Sequence, residues 1–600
     1  MITLLFTSAV AGLLALTVYQ TLADMHRGII TYLDCFLQQA RTKPNKPFII
    51  FEEQTLTYQD VERRSNQFAN AFRTEGSLTK GDIVAQFMCN EPDFICVWFG
   101  LCKLGCEVAF LNVNIKTKSL LHCIRSCGAR ALLVGKELLK VVEEVLPDLM
   151  KDNVDVWVVD HTSPSEKVKS LLDKVEHMLG ETLSERPKAD IMSNFLFIFT
   201  SGTTGLSKAA RVGHLKAIAS MAFLPMCGAT SDDIIYITLP LYHMSASLLG
   251  IGGCIHLGAT CVLKKKFSAS HFWKDCVKHN VTVVQYIGEL CRYLLNHPLV
   301  PEERLHQVRL AAGSGLRSDI WKEFTNRFGG IKIREGYGLT EYCAITAVIV
   351  YMAFVGHVTN SQCLNVSFQL FMPFELLRYD PQTYKPIRTA SGRCIRVQAG
   401  EAGILVAPLT AMNQFLGYAG DKVQSEKKLV RDVFKSGDVY FNTGDLLFLD
   451  DRGFLYFHDR IGDTFRWKGE NVSTTEVAEV LGSLDFIKEA NVYGVSVPGY
   501  EGRTGMAAIV LKHDSTLNGT KLFNHLVQTL PAYAWPRFIR IQTSLDVTET
   551  FKQQKVKLVQ EGVNLSLIQD PLYFLDQSQK DYVFLTVSIH QGIMCGEISL

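Results

Sequence analysis

Short apolar segments alternate with helical patterns along two long stretches, and this alternation most constrains the fold. From Asp82 the pattern predicts a strand at 82–90, a helix at 91–105, a strand at 106–112 and a helix at 118–128. A second series begins at Phe195 and continues through 233–240, 268–280, 281–287 and 308–315. Strand–helix–strand repeats are typical of parallel sheets with crossover helices. We therefore expect a large, doubly wound α/β domain.

The pattern changes after about residue 462. A helix near 474–484 is followed by strands at 491–497 and 505–511, a helix near 521–530 and a strand at 537–542. A chain of 600 residues is also too long for one hydrophobic core. We predict an N-terminal segment at 1–23, a large domain at 46–461 and a smaller α+β domain at 462–600.

The N-terminal segment Met1 to Ala23 has no charged side chain, and its first half is strongly apolar. About 20 such residues can span a bilayer as a helix. Arg27, Arg41 and Lys43 follow the segment, which favours a single-pass anchor with the remaining chain in the cytoplasm. The alternative is a signal peptide cleaved after Thr21-Leu22-Ala23. The plasma membrane and the endoplasmic reticulum both fit an anchored protein of this kind.

The net charge of +1 provides no strong basic field for nucleic acid, and we expect none to bind. The 16 cysteines contain no C-x-x-C pair, so neither a zinc knuckle nor a thioredoxin-type site is indicated. The sequence leaves homo-oligomer formation open.

The segment FTSGTTGLSK, at Phe199–Lys208, directly follows a predicted strand. Gly202 and Gly205 allow unusual backbone dihedrals and close approach to a ligand. Backbone N–H groups and hydroxyl side chains can donate to phosphate oxygens, and Lys208 adds a positive charge. The spacing does not match the Walker A pattern. We predict a phosphate-binding loop formed by Thr200, Ser201, Gly202, Thr203, Thr204, Gly205 and Lys208.

Three further motifs follow this loop in a fixed order: YGLTE at 337–341, NTGD at 442–445 and HDR at 458–460. Together with TSGTTG-x-x-K they resemble the adenylate-forming superfamily, which includes acyl-CoA synthetases, luciferases and peptide-synthetase adenylation domains. The resemblance implies that Tyr337 covers adenine, Thr340 meets the phosphates and Glu341 holds Mg²⁺. It also implies that Asp445 and Arg460 bind the ribose.

The same resemblance assigns four further features. Lys552 takes the place of the adenylation lysine, Gly462 that of the hinge for rotation of the small domain, and His243 lines the acyl or adenylate pocket. The segment at 468–472 belongs to the thioester-forming face.

The stretch from Tyr440 to Val477 is similar to the fatty acid transport protein and very-long-chain acyl-CoA synthetase family, FRWKGENV being its most distinctive part. The resemblance extends from about Lys46 to the C-terminus. It implies a two-step reaction, in which a long-chain fatty acid and ATP form an acyl-adenylate and CoA then displaces AMP. Fatty acid, ATP and CoA would be the substrates, and acyl-CoA formation would trap fatty acid that enters the cell.

Three departures from the family pattern favour an alternative, a fatty acid transport or binding protein with weak or lost synthetase activity. Ser207 replaces the usual proline before the loop lysine, and Glu549 stands where relatives tend to have glycine. The residues after Glu341 do not resemble the equivalent stretch of the family. A different acid substrate, such as a bile acid, an aromatic acid or an amino acid, is a further alternative.

Overall fold

The computed structural model describes residues 30–600 except 164, 184, 201–206, 317, 342–363, 366–373, 381–382, 411–412, 452–453, 462–463, 468–469, 499, 501, 548–552 and 599. Within these residues, no helix combines the length and the apolarity needed to cross a bilayer. The predicted anchor at 1–23 lies outside them.

The first half of the chain alternates strands and helices, as predicted. Its strands are β1 (Pro47–Phe51), β2 (Gln54–Thr57), β3 (Ile83–Phe87), β4 (Glu107–Phe110), β5 (Ala131–Gly135), β6 (Asp155–Val159), β7 (Lys169–Ser170), β8 (Asn194–Thr200), β9 (Lys208–Gly213), β10 (Ile234–Ile237), β11 (Thr260–Leu263), β12 (Val283–Ile287), β13 (Leu310–Ser314) and β14 (Lys332–Glu335).

The helices of this half connect the strands. They are α1 (Tyr32–Thr42), α2 (Tyr58–Thr74), α3 (Pro92–Leu104), α4 (Thr117–Cys127), α5 (Leu139–Glu143), α6 (Leu146–Lys151), α7 (Leu172–His177), α8 (His214–Met221), α9 (Phe223–Cys227), α10 (Gly252–Leu257), α11 (Ala269–Lys278), α12 (Gly288–Asn296) and α13 (Ser318–Phe328). Ser245–Ile251 forms a π-helical segment, and Lys136–Leu138 and Pro301–Arg304 are 3₁₀ turns.

Two seven-stranded sheets result, with strand orders β7-β6-β5-β3-β4-β8-β9 and β14-β13-β12-β10-β11-β1-β2. Their strands pair in parallel except at one edge of each sheet, where β9 and β2 run antiparallel to β8 and β1. The predicted helix ends at Gly105 and Gly128 are confirmed, because both glycines adopt the left-handed conformation with φ of 75° and 73°.

A third sheet, which the sequence pattern did not separate from the α/β domain, is formed by residues 364–460. It contains β15 (Leu364–Asn365), β16 (Glu375–Leu377), β17 (Ala402–Pro408), β18 (Leu429–Arg431), β19 (Val439–Leu449) and β20 (Phe454–Arg460), with helix α14 (Lys422–Lys427) before β18. All its described pairings are antiparallel. Neighbouring strands here are joined without crossover helices, so the helical signal that indicates a parallel sheet is missing.

The C-terminal part has its own core, which includes Trp467, Tyr493 and Phe538. It contains β21 (Phe465–Trp467), β22 (Glu470–Val472), α15 (Thr474–Gly482), β23 (Ile487–Val495), β24 (Thr504–Leu511), α16 (Gly519–Thr529), a 3₁₀ turn at Ala532–Ala534, β25 (Phe538–Ile541), α17 (Val556–Glu561), β26 (Leu572–Asp576), β27 (Asp581–Phe584) and α18 (Val587–Met594). Strands β23 to β27 form one mixed sheet in sequence order.

A buried ion pair joins this part to the large domain in the described arrangement. The guanidinium of Arg292 on α12 lies 2.9 Å from the carboxylate of Glu489 on β23, and the two side chains are only 8% and 10% exposed. Residues 462–463 lie outside the described part, so the predicted boundary between 461 and 462 stays a prediction.

Candidate active site

Asp445 is the centre of one end of the site. It lies on β19 and is 2% exposed. One carboxylate oxygen accepts a hydrogen bond from the Tyr337 hydroxyl at 2.5 Å, and the other lies 3.2 Å from Nε of Arg460. Burial and the neighbouring Asp445 carboxylate raise the pKa of Tyr337 well above its ordinary value. The fold thus brings together three predicted site residues. Two of them, Tyr337 and Asp445, are 108 positions apart in the sequence.

Strand pairing explains this arrangement. Asp445 and Arg460 are directly paired residues of the antiparallel strands β19 and β20. The turn before Asp445 is shaped by Gly444, whose φ is 82°, and by the Thr443 hydroxyl, which accepts from the Asp445 N–H at 3.1 Å and donates to Leu405 O at 2.8 Å. A carboxylate offers about four lone-pair sites. Asp445 therefore retains acceptor capacity for a vicinal diol.

Lys208 marks the other end of the site. It begins β9 directly opposite Thr200, the last residue of β8, so these two residues flank the glycine-rich loop. Residues Ser201–Gly205 of that loop lie outside the described part of the chain. Nζ of Lys208 donates to Oε1 of Gln424 at 3.1 Å and lies 5.4 Å from the centre of the Tyr418 ring.

Tyr418 links Lys208 to Glu341. The backbone at Gly417–Ala419 pairs with β9, because Arg211 N donates to Gly417 O and Ala419 N donates to Ala209 O. The Tyr418 hydroxyl donates to Oε1 of Glu341 at 3.3 Å. Burial first, and the Glu341 carboxylate second, raise the pKa of Tyr418. Lys208 and Glu341 thus both contact one tyrosine, Lys208 over its ring and Glu341 at its hydroxyl.

Glu341 suits a magnesium ion that arrives with a nucleotide. Mg²⁺ usually binds one or two carboxylates together with substrate phosphates and keeps several waters. No group of three or more His, Cys, Asp or Glu side chains in the described part of the chain could hold a metal ion by itself. The single carboxylate therefore fits a nucleotide-bound ion better than a resident metal centre.

Lys216, which sequence reasoning missed, holds the backbone before Glu341. It lies on α8, is 1% exposed, and its Nζ donates to Leu339 O at 2.5 Å and to Thr340 O at 2.7 Å. A buried ammonium is costly unless it is well hydrogen-bonded. The signal that could have indicated it is a lysine within the otherwise mainly apolar helix HLKAIASM.

Glu335 links strand β12 and the loop after β13 next to the same motif. Its carboxylate accepts from the Tyr286 hydroxyl at 2.6 Å, from Leu316 N at 3.0 Å and from Gly315 N at 3.2 Å. Burial raises the pKa of Glu335 to about 7. The strand end that carries Tyr337 is thereby joined to the loop after β13.

A cavity of about 100 Å³ opens beside the YGLT backbone. Phe223, Met244 and Leu249 provide apolar side chains to its wall. The π-helical segment next to it is held by Gln285, whose Nε2 donates to Ser245 O at 2.5 Å, and by Tyr32, whose hydroxyl donates to Ser247 O at 2.8 Å. Irregular helical turns of this kind occur frequently at functional sites.

His243 lies next to this wall rather than on it. Its neighbours Met244 and Ser245 line the cavity, whereas its own ring packs 4.6 Å from that of Tyr242. The predicted role of His243 in the acyl pocket stays a prediction. Gly462, Lys552 and residues 468–469 lie outside the described part of the chain, and their predicted roles stay predictions too.

Comparison with known proteins identifies the family. Residues 36–366 match the model of the AMP-binding enzyme family, and residues 476–552 match that of the AMP-binding enzyme C-terminal domain. The chain is 53% identical over 574 residues to long-chain fatty acid transport protein 6 of Mus musculus and of Homo sapiens, covering 95% of this chain and 92% of each relative. It is 50% identical to long-chain fatty acid transport protein 2 of Rattus norvegicus, covering 95% of this chain and 91% of that protein.

Solved structures show the same fold at lower sequence identity. An anthranilate CoA ligase in complex with anthranoyl-AMP is 22% identical, with a TM-score of 0.74, covering 88% of this chain and 96% of that one. An o-succinylbenzoate CoA synthetase from Bacillus subtilis, in complex with ATP and magnesium ion, is 21% identical, with a TM-score of 0.68, covering 88% and 99%. The chain therefore belongs to the AMP-binding enzyme family and, within it, to the long-chain fatty acid transport proteins.

Proposed function

We propose that the protein is an AMP-forming acyl-CoA ligase whose substrates are ATP, CoA and a long-chain or very-long-chain fatty acid. The observation that carries the proposal is the meeting of two groups of residues at one site. Asp445, Tyr337 and Arg460 offer a buried carboxylate and its partners at one end. Lys208 and Glu341 offer opposite charges, each in contact with Tyr418, at the other end.

The proposed reaction begins when the fatty carboxylate attacks the α-phosphorus of ATP. The bond from phosphorus to the bridging oxygen breaks, pyrophosphate leaves with the bonding pair, and an acyl-adenylate forms. The CoA thiol loses its proton and attacks the acyl carbonyl carbon, and AMP leaves. Mg²⁺ bound with the nucleotide would neutralise phosphate charge.

The chain's own residues contribute position and charge. The carboxylate of Asp445 orients the ribose by accepting hydrogen bonds from its hydroxyls, and Arg460 holds that carboxylate in place. Lys208 can exchange its neutral partner Gln424 for a phosphate oxygen, which is a stronger, charge-assisted hydrogen bond. Fixed charges that meet developing charge in the transition state commonly contribute a hundredfold or more in rate.

The names of the relatives support a fatty acid as the acyl substrate, and the apolar cavity wall agrees with this. The cavity of about 100 Å³ is nevertheless smaller than the roughly 150 Å³ that accommodates benzene in an engineered protein cavity. A long acyl chain therefore requires additional space from side-chain movement or from residues outside the described part. Chain length is the variable that the decisive experiment must scan.

The experiment measures pyrophosphate release by the purified full-length protein with ATP, Mg²⁺, CoA and fatty acids of graded length, together with an aromatic acid and a bile acid. We expect acid-dependent release, an acyl-CoA product by mass spectrometry, and loss of both in Lys208→Ala but not in Lys435→Ala, which alters an exposed lysine. No release with any acid while ATP still binds would instead indicate a binding or transport protein without synthetase activity.

Trapping as acyl-CoA is the proposed route by which the protein supports uptake. Cells that express the double variant Lys208→Ala/Glu341→Ala should then take up no more fatty acid than cells without the protein. Uptake that survives both substitutions would show that transport does not depend on the ligase reaction.

We propose further that residues 1–23 anchor the protein in the plasma membrane or the endoplasmic reticulum, with the catalytic domains in the cytoplasm. The proposal depends on the uncharged, largely apolar segment alone. The full chain should stay with membranes after alkaline carbonate extraction, whereas a chain that begins at residue 24 should be released. Extraction of both forms would contradict the anchor.

A further inference from the structure

We propose that Lys428 is a further nucleotide-binding residue, whose ammonium group neutralises phosphate charge between the ribose end and the phosphate end of the site. The inference depends on the proposed function, because it assigns Lys428 to the same ATP site. None of the motifs that indicate this site contains Lys428. Its position in the fold provides the argument.

The backbone of Lys428 is held rigidly between a helix and a strand. Lys428 follows the last residue of α14 and precedes β18. Its N–H donates to Ser425 O at 3.1 Å, and its carbonyl accepts from Asn442 N at 2.7 Å. The second bond joins it to the strand that carries Asp445. The stem of the side chain therefore starts from a well-defined point beside the NTGD motif.

The ammonium group lies against that motif. Nζ donates to Thr443 O at 3.2 Å, and a methyl group added to Gly444 would lie 3.6 Å from Nζ. Nζ also lies 5.7 Å from the centre of the Phe441 ring. Because the next residue is Asp445, the ammonium group is adjacent to the ribose end of the site.

The electrostatic surroundings of Lys428 extend to the phosphate end. Burial is the largest influence on its pKa, which is lowered from its ordinary value. The carboxylates of Glu341 and Asp445 favour the charged form, whereas the cations Lys208 and Arg460 oppose it. These four groups are the charged residues predicted for the two ends of the site. Lys428 therefore lies in the field of both ends.

Toward the described residues, the ammonium group also has unused hydrogen-bonding capacity. It has three N–H donors, and in the part of the chain that the structure describes, Thr443 O is the acceptor within hydrogen-bond distance. A partly desolvated cation with so few partners is stabilised when an anion binds beside it. A nucleotide phosphate is the anion that this site would place there.

A purely structural role would give Lys428 a different behaviour. In that case it would only support the turn at Thr443–Gly444, and its loss would disturb the ribose contact made by Asp445. The affinities for all ligands that contain ribose would then fall by the same factor, whether or not the ligand carries phosphate. Comparing ATP, AMP and adenosine separates the two roles.

The experiment measures the affinities of ATP, AMP and adenosine by calorimetry for the full-length wild type, Lys428→Met, Lys428→Arg and the matched control Lys427→Met. Lys427 is the adjacent residue and is exposed. We expect Lys428→Met to bind ATP and AMP about tenfold or more weakly and adenosine within about twofold, as for loss of a charged hydrogen bond. Lys428→Arg should retain ATP affinity within about threefold, and Lys427→Met should match the wild type.

The outcomes separate this inference from the proposed function. Wild type that binds ATP while Lys428→Met binds it equally well would overturn the role of Lys428 and leave the ligase proposal intact. If Lys428→Met bound ATP, AMP and adenosine more weakly by the same factor, Lys428 would have a structural role and the inference would also be overturned. Wild type that binds no nucleotide would overturn both. Lys428→Gln provides the same test if the methionine variant does not fold, as judged by its thermal midpoint.

Discussion

The two ends of the candidate site are built in different ways. At the ribose end, Asp445 is 2% exposed on a central strand, and its two oxygens are held by Tyr337 and Arg460. At the phosphate end, Lys208 and Glu341 are half-buried, and their described hydrogen bonds are to the uncharged groups of Gln424 and Tyr418. At one end a buried carboxylate is paired with two partly exposed partners, whereas at the other end the two charged groups have neutral partners.

This difference indicates how the work of catalysis is divided. Groups that are already paired with a buried carboxylate act as a rigid support, since they keep their geometry when ligand binds. Charged groups with neutral partners can exchange them for phosphate or metal with a gain in electrostatic energy. We therefore expect the ribose end to determine nucleotide affinity and the phosphate end to determine rate.

Lys208→Met should produce the largest effect and tests the phosphate end directly. We expect acyl-adenylate formation to fall by about a hundredfold to a thousandfold, because one charge contact in the transition state is lost. AMP affinity should change less than about threefold, because AMP lacks the outer phosphates. Single-turnover kinetics and AMP calorimetry give the two values, with Lys435→Met as the exposed control. A parallel fall in AMP affinity would contradict the proposed division.

Asp445→Asn tests the ribose end and should have the next largest effect. Loss of the charged acceptor should raise the KM for ATP by about tenfold to a hundredfold with a smaller change in kcat. The wild type should discriminate strongly against 2′,3′-dideoxy-ATP, and the variant should discriminate little. Equal discrimination by both proteins would show that Asp445 does not contact the ribose hydroxyls.

Lys216→Met tests the support under the YGLT motif. It leaves Leu339 O and Thr340 O without their buried donor, which should destabilise the fold by about 2–4 kcal/mol. We expect a thermal midpoint lower by several degrees and a kcat lower by a few-fold, because Thr340 and Glu341 lose their fixed position. Lys274→Met, an exposed lysine on α11, should leave both values unchanged. An unchanged kcat in a folded Lys216→Met protein would contradict the positioning role.

Glu335→Gln should have the smallest effect, visible as a pH dependence. The pKa of Glu335 is raised from an ordinary value of 4.5 to about 7. Between these two pH values the folded protein holds a proton on Glu335 that the unfolded chain has lost. The free energy of unfolding of the wild type therefore falls as pH rises through this window, by at most about 3 kcal/mol. The glutamine variant lacks this contribution.

The corresponding measurement compares thermal midpoints at pH 5 and pH 8. We expect the midpoint of Glu335→Gln, relative to the wild type, to be higher at pH 8 than at pH 5. Glu323→Gln, at an exposed site on α13, should show no such change. A relative midpoint that is equal at both pH values would show that Glu335 is ionised normally.

Much of the fold could be predicted from local patterns. The alternating strands and helices predicted between 82 and 128 and between 195 and 315 are confirmed, as are the helix ends at Gly105 and Gly128. The antiparallel sheet at 364–460 could not be predicted in the same way, because its strands are not joined by crossover helices and their pairing register shifts. Antiparallel pairing depends on contacts between strands, and the residue pattern within one strand does not indicate its partner.

The residues of the candidate site likewise fall into a group that the sequence predicts and a group that it does not. Tyr337, Asp445 and Arg460 stand in recognisable motifs, and the structure brings them into contact. Lys216 and Lys428 stand in no motif, and each touches the site through backbone carbonyls. A carbonyl acceptor leaves no trace in the sequence, since every residue provides one.

The sequence by itself determined the α/β series, the change of character near 462 and the motifs of the nucleotide site, because these depend on residue types at short spacing. Only the tertiary structure decided which side chains meet. It placed Tyr418 in contact with both Lys208 and Glu341, Lys216 against the YGLT backbone and Lys428 beside Gly444. These contacts arise from strand register and from packing between distant segments, and both are properties of the assembled fold rather than of any local stretch of chain.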